Sequence, residues 1–242
     1  MKIAVAQVKS IKGDILGNID RHIKLIELTI SYEIDIIIFP ELSITGYEPK
    51  LAAELAMHQD DSSLNDFQKL SDAGGITIGI GVPIKHKNGI CIGMVIFQPN
   101  KARQTYLKKY IHPDEEPFFI SGENDSVVLP DNIALAICYE LSVPEHSLNA
   151  FNTGAKIYIA SVAKSITGHE VSSKILSDIA AKYSMNVLMA NSIGHCEDFV
   201  YAGKTSAWDS KGILVEQLDD INEGIIFLDT KTNLFQFWKL ID

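Results

Sequence analysis

Residues 133–146 read IALAICYELSVPEH, and the fold turns on how this stretch is read. Its first five residues are apolar without a break, as in a strand covered on both faces. Ser142, Pro144 and Glu145 then spell a helix start. Ser142 is expected as the N-cap, Glu145 falls at the third helical position, and proline is tolerated in the first turn. The expectation is a buried strand, a tight turn, and a helix running to about residue 152. Cys138 stands where one gives way to the other. A thiol in such a place is most often a small buried hydrophobe, so residues elsewhere must decide whether it does more.

Working outward, buried strands and one-sided helices recur. IAVAQV (residues 3–8) is β-rich, and Ile19, Ile23, Ile26 and Ile30 then follow at helical spacing within residues 18–32. DIIIFPE (35–41) is a second apolar run, ended by Pro40 and Glu41. Strand, helix, buried strand is the opening of an α/β layered fold. Residues 51–57 and 62–72 read as helices. ITIGIGVPI (76–84) and GICIGMVIFQ (89–98) read as the arms of a hairpin, so the sheet is expected to be mixed. DSVVLP (125–130) and NIALAIC (132–138) are further strands, with a loop over 110–125 before them. KIYIASVA (156–163) is a strand and 169–183 a helix with Val171, Ile175 and Ile179 on one stripe. NVLMANS, GKTSAWD, GILVEQ and GIIFLD complete the strands. No repeat, linker or low-complexity tract interrupts the series, which predicts one domain over residues 1–242.

The 242 residues are 46% hydrophobic and 21% charged, with a formal net charge of −10. That balance argues against nucleic acid or an anionic membrane as the main partner, since both require a cationic face. No apolar segment approaches the length of a membrane span. Cys91, Cys138 and Cys196 are odd in number and far apart, which suits a reducing compartment better than a disulfide framework. A cytoplasmic protein is expected.

Open α/β sheets usually keep their sites at strand ends. Glu41 follows DIIIFP, Lys108 follows RQTYL, and Cys138 ends NIALAIC. Each alone has an ordinary reading as a solvated charge or a buried thiol. Together they supply a general base, a cation for an oxyanion, and a nucleophile. A carboxylate can take the thiol proton as sulfur attacks a carbonyl, then return it to the departing amine. This is acyl transfer through a thioester, with no metal and no organic cofactor implied.

FPELSITGY (39–47), YLKKYIHPDEEPFFISG (106–122) and ICYELSVPE (137–145) resemble the three signature segments of the nitrilase superfamily, the carbon–nitrogen hydrolases. ANSIG (190–194) and GKTSAWDSKG extend the likeness into the C-terminal half. The resemblance implies a four-layer α-β-β-α sandwich and a homodimer. It also implies that Glu41 is the base, Lys108 the oxyanion support and Cys138 the nucleophile. A second glutamate of the family, which positions substrate, would be Glu115 or Glu116, with Glu115 better spaced from Lys108. Tyr139, after the cysteine, matches amidase-like members, whereas nitrilases often carry tryptophan there.

The sequence departs from the family at Leu141 and Ser142, where many relatives have an arginine for a substrate carboxylate. Lys164, after the next strand, could supply that cation instead. GHCED (194–198) groups possible metal ligands, but adjacent residues rarely converge on one ion and no second pair has zinc spacing. The expected activity is hydrolysis of a primary amide or carbamoyl C–N bond in a small linear molecule. A nitrilase or an N-acyltransferase of the same superfamily is the alternative. A non-catalytic binding protein is disfavoured by the intact Glu, Lys and Cys.

Overall fold

The computed structural model describes residues 1–123, 128–129 and 132–240. Two sheets form its centre. The first runs Leu234–Lys239, Gly224–Asp229, Lys2–Lys9, Ile36–Ile38, Thr77–His86, Gly89–Phe97 and Gln104–Leu107, with Ser192–Ile193 pairing alongside Lys2–Lys9. The second runs Leu214–Gln217, Ser206–Trp208, Asn186–Ala190, Ile157–Ser161, Ile133–Ile137 and Val128–Leu129. Parallel pairing joins Lys2–Lys9 to Ile36–Ile38 and Ile36–Ile38 in turn to Thr77–His86, and antiparallel pairing forms the expected hairpin of Thr77–His86 with Gly89–Phe97. Of the strand expected over 125–130, Val128–Leu129 is formed, and the rest lies outside the described residues.

Alternation assigns the two faces of the first sheet to different layers. Ile3, Val5, Ile36, Ile38 and Met94 pack with Leu135, Ala136, Ile159 and Met189 of the second sheet. Their neighbours Ala4, Ala6, Ile37 and Val95 instead meet Leu25 and Ile26 of helix α1 (Ile15–Ser31). After the short α2 (Ala52–Leu55), helix α3 (Asn65–Gly74) covers the same outer face through Phe67. Helices α4 (Pro144–Asn152) and α5 (Ile166–Tyr183) contribute Ala150, Leu176, Ile179 and Ala180 to the core of the second sheet. The result is the α-β-β-α sandwich. Each isoleucine or leucine buried this way stabilises the fold by roughly 1.5–3 kcal/mol.

Several boundaries differ from the sequence expectation. Helix α1 starts three residues early because Asp14 caps it, accepting from the Gly17 N–H. The helix expected over 51–57 contracts to α2, and the one over 62–72 opens with a 3-10 turn before α3. Ser142 is not an N-cap. The chain after Ile137 enters a 3-10 turn, Cys138–Ser142, and α4 begins at Pro144 with no side-chain cap. The cause is Glu140, whose carboxylate accepts from the Ile137 and Lys109 N–H groups and folds the chain back. Helix α5 starts at Ile166, capped by Ser165, and buries Leu176, Ile179 and Ala180 while Val171 is exposed. The stripe through Val171 was therefore offset from the buried face.

Candidate active site

The ends of three strands, two from the first sheet and one from the second, bring the sequence-predicted groups together. Glu41 leaves strand Ile36–Ile38 on a turn that crosses directly over Gly81 of the neighbouring strand. A Cβ there would collide with Pro40 O and Leu42 N, and Ile44 N–H donates to Gly81 O. The close approach requires glycine. Lys108 follows Gln104–Leu107 and is held by its own backbone, its N–H donating to Ile92 O and its carbonyl accepting from Gly122. Glu115 sits in the 3-10 turn Pro113–Glu115, where its Oε2 accepts from the His112 N–H at 2.9 Å.

The Lys108 ammonium donates to Glu41 Oε1 at 2.7 Å and to both oxygens of Glu115 at 2.8 Å. All three side chains are buried. Tyr47 OH donates to Glu115 Oε1 at 2.9 Å. Glu116, the other candidate, is exposed. Glu41 Oε2 has no hydrogen-bond partner among the described residues although it is buried. Burial lifts the Glu41 carboxyl above its ordinary range, outweighing the Lys108 charge that pulls it down. Burial alone would lower Lys108, but the charges of Glu41, Cys138 and Glu115 reverse this and keep it firmly protonated.

Cys138 has φ +46°, a left-handed conformation that a non-glycine residue holds only under constraint. Glu140 supplies that constraint by anchoring Ile137 N–H. The sulfur is presented by this turn and not by the start of α4, which lies six residues on. Burial, and then the Glu41 charge, push its thiol up to about 11, against the pull of Lys164 and Lys108. At neutral pH the thiol keeps its proton until a base removes it.

Cys138 opens onto a cavity of about 340 Å³ whose walls include Tyr47, Phe118, Phe199, Glu115, Lys164 and Ser165. Its lining combines the aromatic rings of Tyr47, Phe118 and Phe199 with charged groups that include Lys50, Asp114 and Asp198. Lys164 reaches this cavity. Tyr139 does not line it. That ring packs edge-on against His112 at 5.1 Å, beside the residue whose N–H holds Glu115. Leu141 is buried and Ser142 faces a separate groove against α5, so neither borders the cavity. In GHCED, Glu197 pairs with Lys12 and Lys50, and the Cys196 thiol donates to Phe199 O, so these side chains diverge.

Tyr47, Phe118 and Phe199 were not singled out from the sequence. Tyr47 closes the FPELSITGY segment, which was the available signal. Nothing in the local sequence marks Phe199, which comes from a loop some 60 residues beyond the nucleophile.

A two-sheet sandwich with a carboxylate, an ammonium and a thiol gathered at its strand ends is the frame in which the comparisons with known proteins fall. The carbon-nitrogen hydrolase family profile matches residues 2–240. The chain belongs to that family and is a hydrolase of C–N bonds other than peptide bonds. It is 26% identical to the "Hydrolase in pqqF 5'region" of Pseudomonas protegens, over 91% of this chain and 80% of the relative. It is 25% identical to an (R)-stereoselective amidase from a Pseudomonas species, over 95% and 85%. The NitN amidase from Nesterenkonia sp. AN1 shares the fold at a TM-score of 0.85, with 21% identity over 95% of this chain and 92% of that one. A variant of that amidase carries the acetamide moiety of fluoroacetamide on its active-site cysteine.

Proposed function

We propose that this protein is a cofactor-independent amidohydrolase that cleaves the C–N bond of a primary amide or carbamoyl group in a small linear substrate. The observation that carries this reading is the unpartnered Glu41 Oε2, buried beside Cys138 while the other oxygen is fixed on Lys108. A buried carboxylate normally satisfies both oxygens. This one keeps a lone pair open for a proton.

The thiol proton passes to Glu41 as Cys138 Sγ bonds to the substrate carbonyl carbon, and the carbonyl oxygen takes the negative charge. In the resting site all three Lys108 protons face carboxylates. Protonation of Glu41 weakens one of these contacts and frees an N–H for the oxyanion at the moment it forms. Glu41 then protonates the amine nitrogen, the C–N bond breaks, and ammonia leaves a thioester. Water, deprotonated by Glu41, attacks the thioester, releases the acid and restores the thiol. Glu115 accepts from the substrate NH₂, a donor that a nitrile lacks, which favours amides. Tyr139 acts through His112 on Glu115, and Lys164 supplies a cationic wall.

Assembly belongs to the same proposal. Leu148, Phe151, Ile166 and Val171 are exposed on α4 and α5, which suits a homodimer joined through these helices. Light scattering at micromolar concentration would show twice the chain mass, and a monomer would contradict it.

The test of the activity is ammonia release from matched amide and nitrile pairs of one carbon skeleton, with mass spectrometry of Cys138. Amides should have the higher kcat/KM and leave an acyl adduct on Cys138. Preference for the nitrile across the panel would overturn the reading.

A further inference from the structure

The charges around the sulfur do not balance with the three family groups alone. Two carboxylates, Glu41 and Glu115, share the single Lys108 ammonium. When Glu41 is in the form that can accept a proton, this trio carries one net negative charge, next to a sulfur that must itself become negative. Unrelieved, that arrangement opposes the first step of the reaction.

Lys164 is built into the wall facing this sulfur. Its backbone is clamped on both sides by the fully buried Asn191, whose Oδ1 accepts from the Lys164 N–H at 2.9 Å and whose Nδ2 donates to the Lys164 carbonyl at 3.2 Å. The Ala202 N–H donates to the same carbonyl at 2.8 Å. Its stem crosses the first turn of α5 at Gly168, where an added Cβ would lie 3.3 Å from Lys164 Cδ. Half-buried and lining the cavity with Cys138, it is no loosely tethered surface lysine. Among the charged groups acting on Cys138, it is the second ammonium besides Lys108.

We infer that Lys164 is a catalytic residue, whose ammonium faces the Cys138 sulfur and holds the negative charge that gathers there as the thiol proton leaves for Glu41. This rests on the reading of Cys138 as nucleophile and Glu41 as base. No proton moves to or from Lys164. The S–H bond breaks toward Glu41, the C–S bond forms, and Lys164 stays charged throughout. With it the resting site is neutral, and it remains neutral when Glu41 is protonated and an oxyanion has formed. The role differs from a clamp on a distal substrate carboxylate, which would have to direct the ammonium away from sulfur.

The experiment reads the thiol without any substrate. In a Cys196→Ser background, iodoacetamide labels the full-length protein across a pH series, and mass spectrometry follows Cys138 alone. Among the described residues, the titratable groups that act on that sulfur include Glu41, Lys108, Glu115, Tyr47 and Lys164. Lys164→Met should slow labelling at neutral pH by about tenfold or more, corresponding to a rise of about one pH unit in the labelling midpoint. Lys164→Arg should restore most of it, and Lys164→Gln is a second neutral variant should the Met protein not fold. A labelling profile unchanged in a folded Met or Gln variant overturns the proposal. So does unchanged labelling with turnover lost only on substrates bearing a distal carboxylate, which would assign the clamp instead. Because labelling needs no turnover, a failed search for an amide substrate leaves this result readable, and turnover retained by Cys138→Ala would count against the underlying mechanism.

Discussion

Glu41 and Glu140 are both buried glutamates within the sandwich, and they are treated in opposite ways. Glu140 is saturated. Its Oε1 accepts from the Lys109 N–H at 2.7 Å, and its Oε2 accepts from the Ile137 N–H at 2.8 Å and from Tyr106 OH at 2.5 Å. His146 extends the network, its ring nitrogens 3.0 Å from Tyr106 OH and 2.9 Å from Tyr158 OH. Burial lowers the His146 pKa, so the imidazole stays neutral there. Glu41 has one ammonium on one oxygen and, among the described residues, no partner on the other. The saturated carboxylate fixes the turn that carries Cys138, the proposed nucleophile, and the open one is the proposed base. Low dielectric makes either choice costly to disturb, but in different observables.

The largest effect is expected at Cys138, the proposed nucleophile on which both glutamates bear. Cys138→Ala should lose at least about ten-thousandfold in turnover, as removal of a catalytic nucleophile does, with its circular dichroism unchanged. Next, Glu41→Gln and Lys108→Met should each lose about a hundredfold or more in kcat/KM. Glu41→Gln should keep its melting temperature, since the amide still accepts from Lys108. The wild-type rate should also fall on acidification at a pH above the ordinary carboxylate value of 4.5, because burial raises Glu41 and only its ionised form is a base. Equal rates for Glu41→Gln and wild type would end the contrast.

Glu140→Gln should reverse the pattern. Its NH₂ would face backbone N–H donors, leaving buried groups unpaired at a cost of about 1–3 kcal/mol, read as a lowered urea midpoint. Its rate loss should be smaller than that of Glu41→Gln. The smallest effect concerns His22, buried between Asn18 O and Ser43 Oγ on the Glu41 turn, with its pKa pushed down to about 3 by burial. The unfolded histidine takes up a proton below its ordinary 6.5, and the folded one does not until about 3. The stability this group contributes is therefore complete above 6.5 and is lost as pH falls through that window. The slope should reach at most about 1.4 kcal/mol per pH unit. A His22→Asn protein should show a flatter dependence in urea titrations at successive pH values.

What could be read in advance follows the range of the interactions. The strands were legible because two-sided burial leaves unbroken apolar runs, as in Ile133–Ile137. Glu41, Lys108 and Cys138 could be singled out because each stands at a strand end within a segment that resembles a family signature, and the fold brings the three together. Ser142 was misread because a contact across 31 residues, Glu140 to Lys109 N–H, overrides the local helix signal. The direction of Lys164 was hidden for the same reason. Its backbone is set by Asn191 and Ala202, and a lysine after a strand carries no local mark of what it faces.

Gly81 gives a warning to anyone reshaping this protein. It lies in the middle of a strand, where replacing glycine with alanine or valine is a routine way to raise thermal tolerance. Here the added methyl group would press on the backbone of residues 40–42 and shift Glu41, the proposed base. A library selected for heat resistance alone would accept such a change if the turn could give way, and would return robust proteins with a silent active centre. Position 81 should be held fixed in any such campaign, although it is buried in mid-strand and carries no side chain.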